Sequence, residues 1–144
     1  MQTKTDYNIQ IPIWWFILPA YLTLWTIGFS IYNLLDGNGM MRAFGIDTGG
    51  ASDFIMMNSG GRYVALALAM FLGIWIFKTY RAMLVVLLAR LAMDILDLYA
   101  GLRTGIIMDT TGVVQSILMF LLPNLISIAL LIRFYNKQTR PERL

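Results

Sequence analysis

No histidine and no cysteine occur in this sequence, and glutamate occurs once, at Glu142. Without cysteine there is no disulfide, no thiolate nucleophile and no cysteine-held metal. Without histidine the commonest general base and the commonest transition-metal ligand are gone. Acid–base chemistry is left to aspartate, tyrosine, lysine and that one glutamate. Charge is scarce as well. Only 13% of the residues are Asp, Glu, Lys or Arg, about half the share usual in a soluble domain. The net charge of +3 is scattered, and no basic run is long enough to engage a nucleic acid. What the chain has instead is hydrophobicity, 58% of its 144 residues. That balance predicts a membrane protein, and the length suits one domain.

The apolar runs predict an all-α, polytopic transmembrane four-helix bundle, with helices over about 11–35, 62–80, 81–103 and 113–134. The first run is too long for a cleaved signal sequence, so it is expected to stay as a helix. Trp14 and Trp15 stand at its start, where amphipathic aromatics favour the membrane interface. Pro12 fits a first turn, Pro19 predicts a kink and Asp36-Gly37 an end. Seven glycines in 36–61 predict an extracytoplasmic loop rather than a span. Ala65, Ala69 and Gly73 form a small-xxx-small stripe, which predicts that this face of helix two packs inside and carries Arg62 with it. Pro123-Asn124 lies near the middle of helix four, where the proline frees the carbonyl of Met119. A basic cytoplasmic tail is expected over 135–144.

Orientation follows from the cations. Lys4, Lys78, Arg81, Arg133, Lys137, Arg140 and Arg143 fall on one side of four spans, and Arg42, Arg62 and Arg103 on the other. The positive-inside rule predicts a multi-pass protein of the cell membrane with both termini in the cytoplasm.

The stretch Arg81–Gly105 breaks the apolar pattern from within. Arg90, Asp94 and Asp97 stand at i, i+4 and i+7, on one helical face that Met83, Val86 and Gly101 extend. Charges at bilayer depth cost about 2.5–3.5 kcal/mol each on insertion scales, so they turn inward and find partners. Arg62, Arg90, Asp94 and Asp97 sum to zero. The expected pairs are Arg90–Asp94 along one helix and Arg62–Asp97 between helices. Asn124, Thr23 and Thr26 are expected to join the same layer. Asp94, Asp97 and Asn124 carry the oxygens a hard cation wants, but Arg90 beside them argues against a metal. No cofactor is expected.

The runs NSGGRYVALALAMFLGI and LLARLAMDILDLYAGLRTG, joined by a short turn, resemble a layout of small bacterial four-helix membrane proteins of the DoxX-like group. The resemblance covers about residues 44–105. It implies four helices with cytoplasmic termini. DoxX-like proteins are linked to membrane redox partners, a role that a chain without Cys or His has no group of its own to support. No catalytic residue carries over.

Three functions fit these residues. The polar centre binds or transports a small polar or amphiphilic molecule; or it is an ionic lock inside a non-catalytic accessory or assembly subunit, with a membrane protein as partner; or Asp94 or Asp97 works as acid or base in a small membrane enzyme. Membrane lipid surrounds the chain in every case. A cavity beside Asp94 would favour the first or third, and a dry, fully paired cluster the second.

Overall fold

Four helices make up the structure, a computed structural model that describes residues 11–43, 52–104 and 110–139. Among these residues there is no strand. Helix α1 (Ile17–Ala43) follows a 3₁₀ turn, Ile13–Phe16. That turn answers the prolines: Pro12 precedes it, the Trp15 amide donates to the Pro12 carbonyl at 3.0 Å, and Pro19 falls in the first turn of α1. There the missing N–H costs little. The regular helix breaks at Asp36, whose φ of −156° and ψ of 66° are not helical.

Helix α2 runs Ser52–Met70 and continues as a π-helical stretch, Phe71–Phe77. It therefore begins at Ser52 rather than near 62, and the connection from α1 is shorter than the expected 36–61. Residues 44–51 of that connection, like Lys4 and the tail beyond 139, lie outside the described residues. Gly60 and Gly61 look like breakers in the sequence, yet they sit inside α2. At Gly60 the reason is close approach. A Cβ there would stand 3.1 Å from Cβ of Asn33 and 3.1 Å from Cγ of Leu34 on α1, so glycine lets the two helices approach more closely than a larger residue would.

The turn into α3 (Tyr80–Thr104) is tight. Lys78 adopts the left-handed conformation, φ 51°, and the Thr79 hydroxyl accepts a hydrogen bond from the Ala82 amide at 3.3 Å, a conventional N-cap. An L-residue in that conformation costs about 1–2 kcal/mol, partly offset in glycine by its freer unfolded chain. Lys78 is exposed, so Lys78→Gly is expected to stabilise the protein by about 0.5–1 kcal/mol. A denaturation midpoint in detergent that stays put or falls would refute this.

Helix α4 has three parts: Thr110–Ser116, the π-helical turn Ile117–Leu121, and Leu122–Thr139. The wide turn lies just before Pro123. A proline ring collides with the carbonyl four residues back, here Met119, and one π turn relieves that contact without ending the helix. Helix α4 thus continues past 134 into the segment expected to be tail.

Each helix packs on two others: α1 on α2 and α4, α3 on α2 and α4. The interior is divided along its length. Leu22, Met70, Ile74, Met83, Leu87 and Leu131 form an apolar cluster at one end. Thr26, Ser30, Asn33, Arg90, Asp94 and Asn124, all buried, form a polar layer toward the other. The order along every helix agrees with this division, because the helices alternate in direction. An aromatic collar closes the apolar end, with Trp14 against Phe134, Phe16 against Trp75 and Tyr80 stacked on Tyr135 at 3.9 Å. The outer surface is covered by exposed Leu, Ile, Val and Phe side chains, among them Ile17, Leu68, Ile76 and Val85. A surface this apolar, around an interior that holds an ion pair and buried amides, is unlike that of a soluble domain. Three helices are long and apolar enough to cross a membrane: Ile13–Asp36, Ser59–Phe77 and Thr110–Thr139. Helix α3 is not among them, since its charges break the apolar window.

The expected small-residue stripe is split. Gly73 is buried, but Ala65 and Ala69 face outward, and so does Arg62. Counted from Gly60, the inward positions are Tyr63, Leu66, Ala67, Met70, Gly73 and Ile74, a regular helical stripe of mixed sizes.

Candidate functional site: a buried arginine beside an aromatic cavity

Arg90 and Asp94 lie one turn apart on α3, so their side chains meet on the inward face. Nε of Arg90 donates to Oδ2 of Asp94 at 3.1 Å, and Nη2 stands 2.9 Å from Oδ1. The fork is bidentate, and the two side chains are only 3% and 6% exposed. Nη1 donates to the Thr26 hydroxyl on α1. That hydroxyl in turn donates to the carbonyl of Leu22 at 2.6 Å. The guanidinium is thereby held between two helices, with Phe120 of α4 at 6.0 Å from Cζ to ring centroid. A lone arginine at this depth would be costly, and the planar fork on a carboxylate is what offsets it.

Asp97, three residues on, accepts from the hydroxyl of Tyr63 on α2. The expected partner was Arg62. Because α2 is phased by Gly60 rather than by the alanines, Arg62 points away and its neighbour takes the place. The correction changes the charge count. Without Arg62, the cluster of Arg90, Asp94 and Asp97 carries one positive and two negative formal charges.

The other expected members divide. Thr26 joins the arginine. Thr23 is buried, but its hydroxyl donates to the Pro19 carbonyl of its own helix at 2.7 Å, so it is not part of the centre. Asn124 is fully buried, and its amide faces the Asp94 carboxyl in a loose contact rather than a well-formed hydrogen bond. Asn33 is buried too: Nδ2 donates to the Phe29 carbonyl at 2.8 Å, while Oδ1 has no partner. Buried polar atoms are satisfied in the great majority of cases, so Oδ1 of Asn33 and the loosely held Asn124 amide leave this layer incompletely paired.

The layer also contains space. A cavity of about 70 Å³ is lined by Trp25 and Phe29 of α1, Tyr63 of α2, Arg90 of α3 and Phe120 of α4. Its floor is Tyr63 and Arg90, which are buried. Its rim is Trp25, Phe29 and Phe120, which are more exposed. Phe29 meets Tyr63 edge-on at 4.7 Å, and Trp25 lies 5.3 Å from Phe120 between ring centroids. Trp25 sits midway along its span rather than at an end, an unusual depth for an indole. None of the four aromatic residues was expected at the site. Tyr63 was legible from its phase with Gly60, Met70 and Ile74. Trp25, Phe29 and Phe120 had no signal that separates them from lipid-facing aromatics.

No group of three or more potential acidic, His or Cys metal ligands occurs among the described residues. Comparison of the chain with family models, with curated proteins and with solved structures gives no match to any of them.

Proposed function

We propose that this chain is a four-helix transmembrane bundle of the cell membrane that binds, and in doing so holds or passes on, a small polar or amphiphilic molecule at the Arg90 layer. The observation that carries the reading is the cavity whose floor is Arg90 and Tyr63. A purely structural lock needs no such space. Three helices support the membrane setting by length and composition. Helix α3 crosses with them in this reading: Arg90 and Asp94 neutralise each other inside the bundle, and Asp97, exposed on the same helix, is held by the Tyr63 hydroxyl. The cation asymmetry supports cytoplasmic termini, with the polar layer in the outer half of the membrane.

One observation favours the accessory-subunit reading: Arg90 is already held by Asp94 and Thr26, which is what a register lock requires. An enzyme is a weaker reading, since Asp94 is committed to Arg90 and Asp97 to Tyr63.

The deciding experiment purifies the protein in lipid nanodiscs and extracts the small molecules it retains for mass spectrometry. A species retained by the wild type and lost from the double variant Arg90→Gln, Asp94→Asn supports binding. The same extract from both proteins overturns it in favour of the lock.

A further inference from the structure

Resting on that reading, we infer that the cavity takes the head of a neutral, lipid-borne amphiphile, with an oxygen acceptor on Arg90 and an apolar tail left in the bilayer between α1 and α4.

The polarity of the head follows from the donors. A guanidinium has five N–H groups. Three are engaged here: Nε and one on Nη2 by Asp94, and one on Nη1 by Thr26. That leaves two for whatever enters the cavity that Arg90 lines. The Tyr63 hydroxyl spends its proton on Asp97, so it presents only lone pairs. The wall thus offers donors at one point and an acceptor at another, between aromatic faces. A carbonyl or ether oxygen satisfies the donors, and a hydroxyl on the same head can satisfy both.

The charge follows from the same residues. Arg90 is neutralised by Asp94, and Asp97, exposed on α3, is hydrogen-bonded to the Tyr63 of the cavity wall. An anionic head would have to be desolvated at a guanidinium whose charge Asp94 already balances, with the Asp97 carboxylate behind Tyr63. A cationic head would have to be desolvated against a guanidinium in the cavity wall. A neutral head meets neither penalty.

Size and route follow from the walls. A space of about 70 Å³ holds a head of a few heavy atoms and no chain. The exposed members of the lining are Trp25 and, in part, Phe29 and Phe120. The mouth therefore opens sideways between α1 and α4, at mid-span, and not toward either aqueous face. A molecule that arrives there comes from the lipid.

The test uses the full chain in nanodiscs and three probes that share one alkyl chain, each brominated a few carbons from the head so that the bromide is not activated: a long-chain methyl ketone, the fatty carboxylate and the alkyl trimethylammonium. Bromine quenches tryptophan at short range, so the readout is the saturable part of the quenching that disappears in Trp25→Phe. The ketone is expected to saturate and the two ions are not. Phe29→Trp adds bulk at the rim without touching the ion pair, and is expected to weaken ketone binding at least about tenfold, judged by competition of the unbrominated ketone against a dye displaced from the wild type. Preferential saturation by the carboxylate or the ammonium would overturn the neutral head while leaving a binding site in place. If no probe gives Trp25-dependent saturation, the inference fails. If, in addition, wild type and the double variant retain the same extract, the binding function fails with it.

Discussion

Asp94→Asn is expected to destabilise the protein by about 3–5 kcal/mol, the usual cost of breaking a buried ion pair by removing one partner. The substitution is nearly isosteric, so packing is kept and the loss is electrostatic. Asparagine can still accept one hydrogen bond from Arg90, but the second arm of the fork then meets an amide nitrogen, donor against donor. Arg90 would remain positively charged with a side chain only 3% exposed. Its remaining anchors, the Thr26 hydroxyl and the Phe120 ring, are neutral. Arg90→Gln should be costly as well, since it strands Asp94 beside Asp97. Combining the two removes both charges, and the double variant is expected to be much closer to wild type than the sum of the single losses. The measurement is a double-mutant cycle on unfolding in detergent. Additive losses would show that the two side chains do not interact, and the polar layer would lose its centre. Recovery of stability with loss of the retained molecule would separate the site's function from its role in the fold.

The fold was legible where apolar period and charge acted together. Arg90, Asp94 and Met83 could be placed on one inward face because a charged residue inside an apolar run has one energetically tolerable direction. Thr26 was placed in the same polar layer and is buried there; Ser30 and Asn33, which follow it at helical spacing along α1, were not, and are buried as well. Helix α2 was not legible in this way. There the sequence offers two stripes one residue apart in phase: Ala65 and Ala69 with Arg62, or Gly60 with Tyr63, Ala67 and Met70. Small size favours the first. Close approach at Gly60 decides for the second, and that contact depends on Asn33 and Leu34 of another helix, which no local pattern contains. The cavity was illegible for a related reason. It is a gap left by four aromatic residues from three helices, and its volume belongs to none of them singly.

Gly73→Leu is expected to destabilise by about 3 kcal/mol, at the upper end of overpacking costs. A Cβ on Gly73 would stand 2.9 Å from Cγ1 and 3.1 Å from Cγ2 of Val86, and 3.2 Å from the backbone oxygen of Ala82. Neither obstacle can yield cheaply. A valine in a helix has one strongly favoured rotamer, and the Ala82 carbonyl belongs to the first turns of α3. Even one methyl would force α2 and α3 apart, and leucine adds three more carbons to the same gap. Helix separation here also moves Met70 and Ile74 away from Met83 and Leu87, which form one apolar cluster. The contrast is with Ala65→Leu and Ala69→Leu. Both sites face outward on the same helix, where added carbon meets lipid, and each change should stay within about 0.5 kcal/mol of wild type. Val86→Ala is expected to recover part of the loss in Gly73→Ala by removing the two nearest atoms, while the contact with the Ala82 oxygen persists. Unfolding midpoints of these variants in one detergent decide between the two phases of α2. Equal losses at 65, 69 and 73 would restore the all-small stripe and turn Arg62 back toward Asp97. A loss confined to 73 keeps Tyr63 on Asp97, and with it the lining of the cavity.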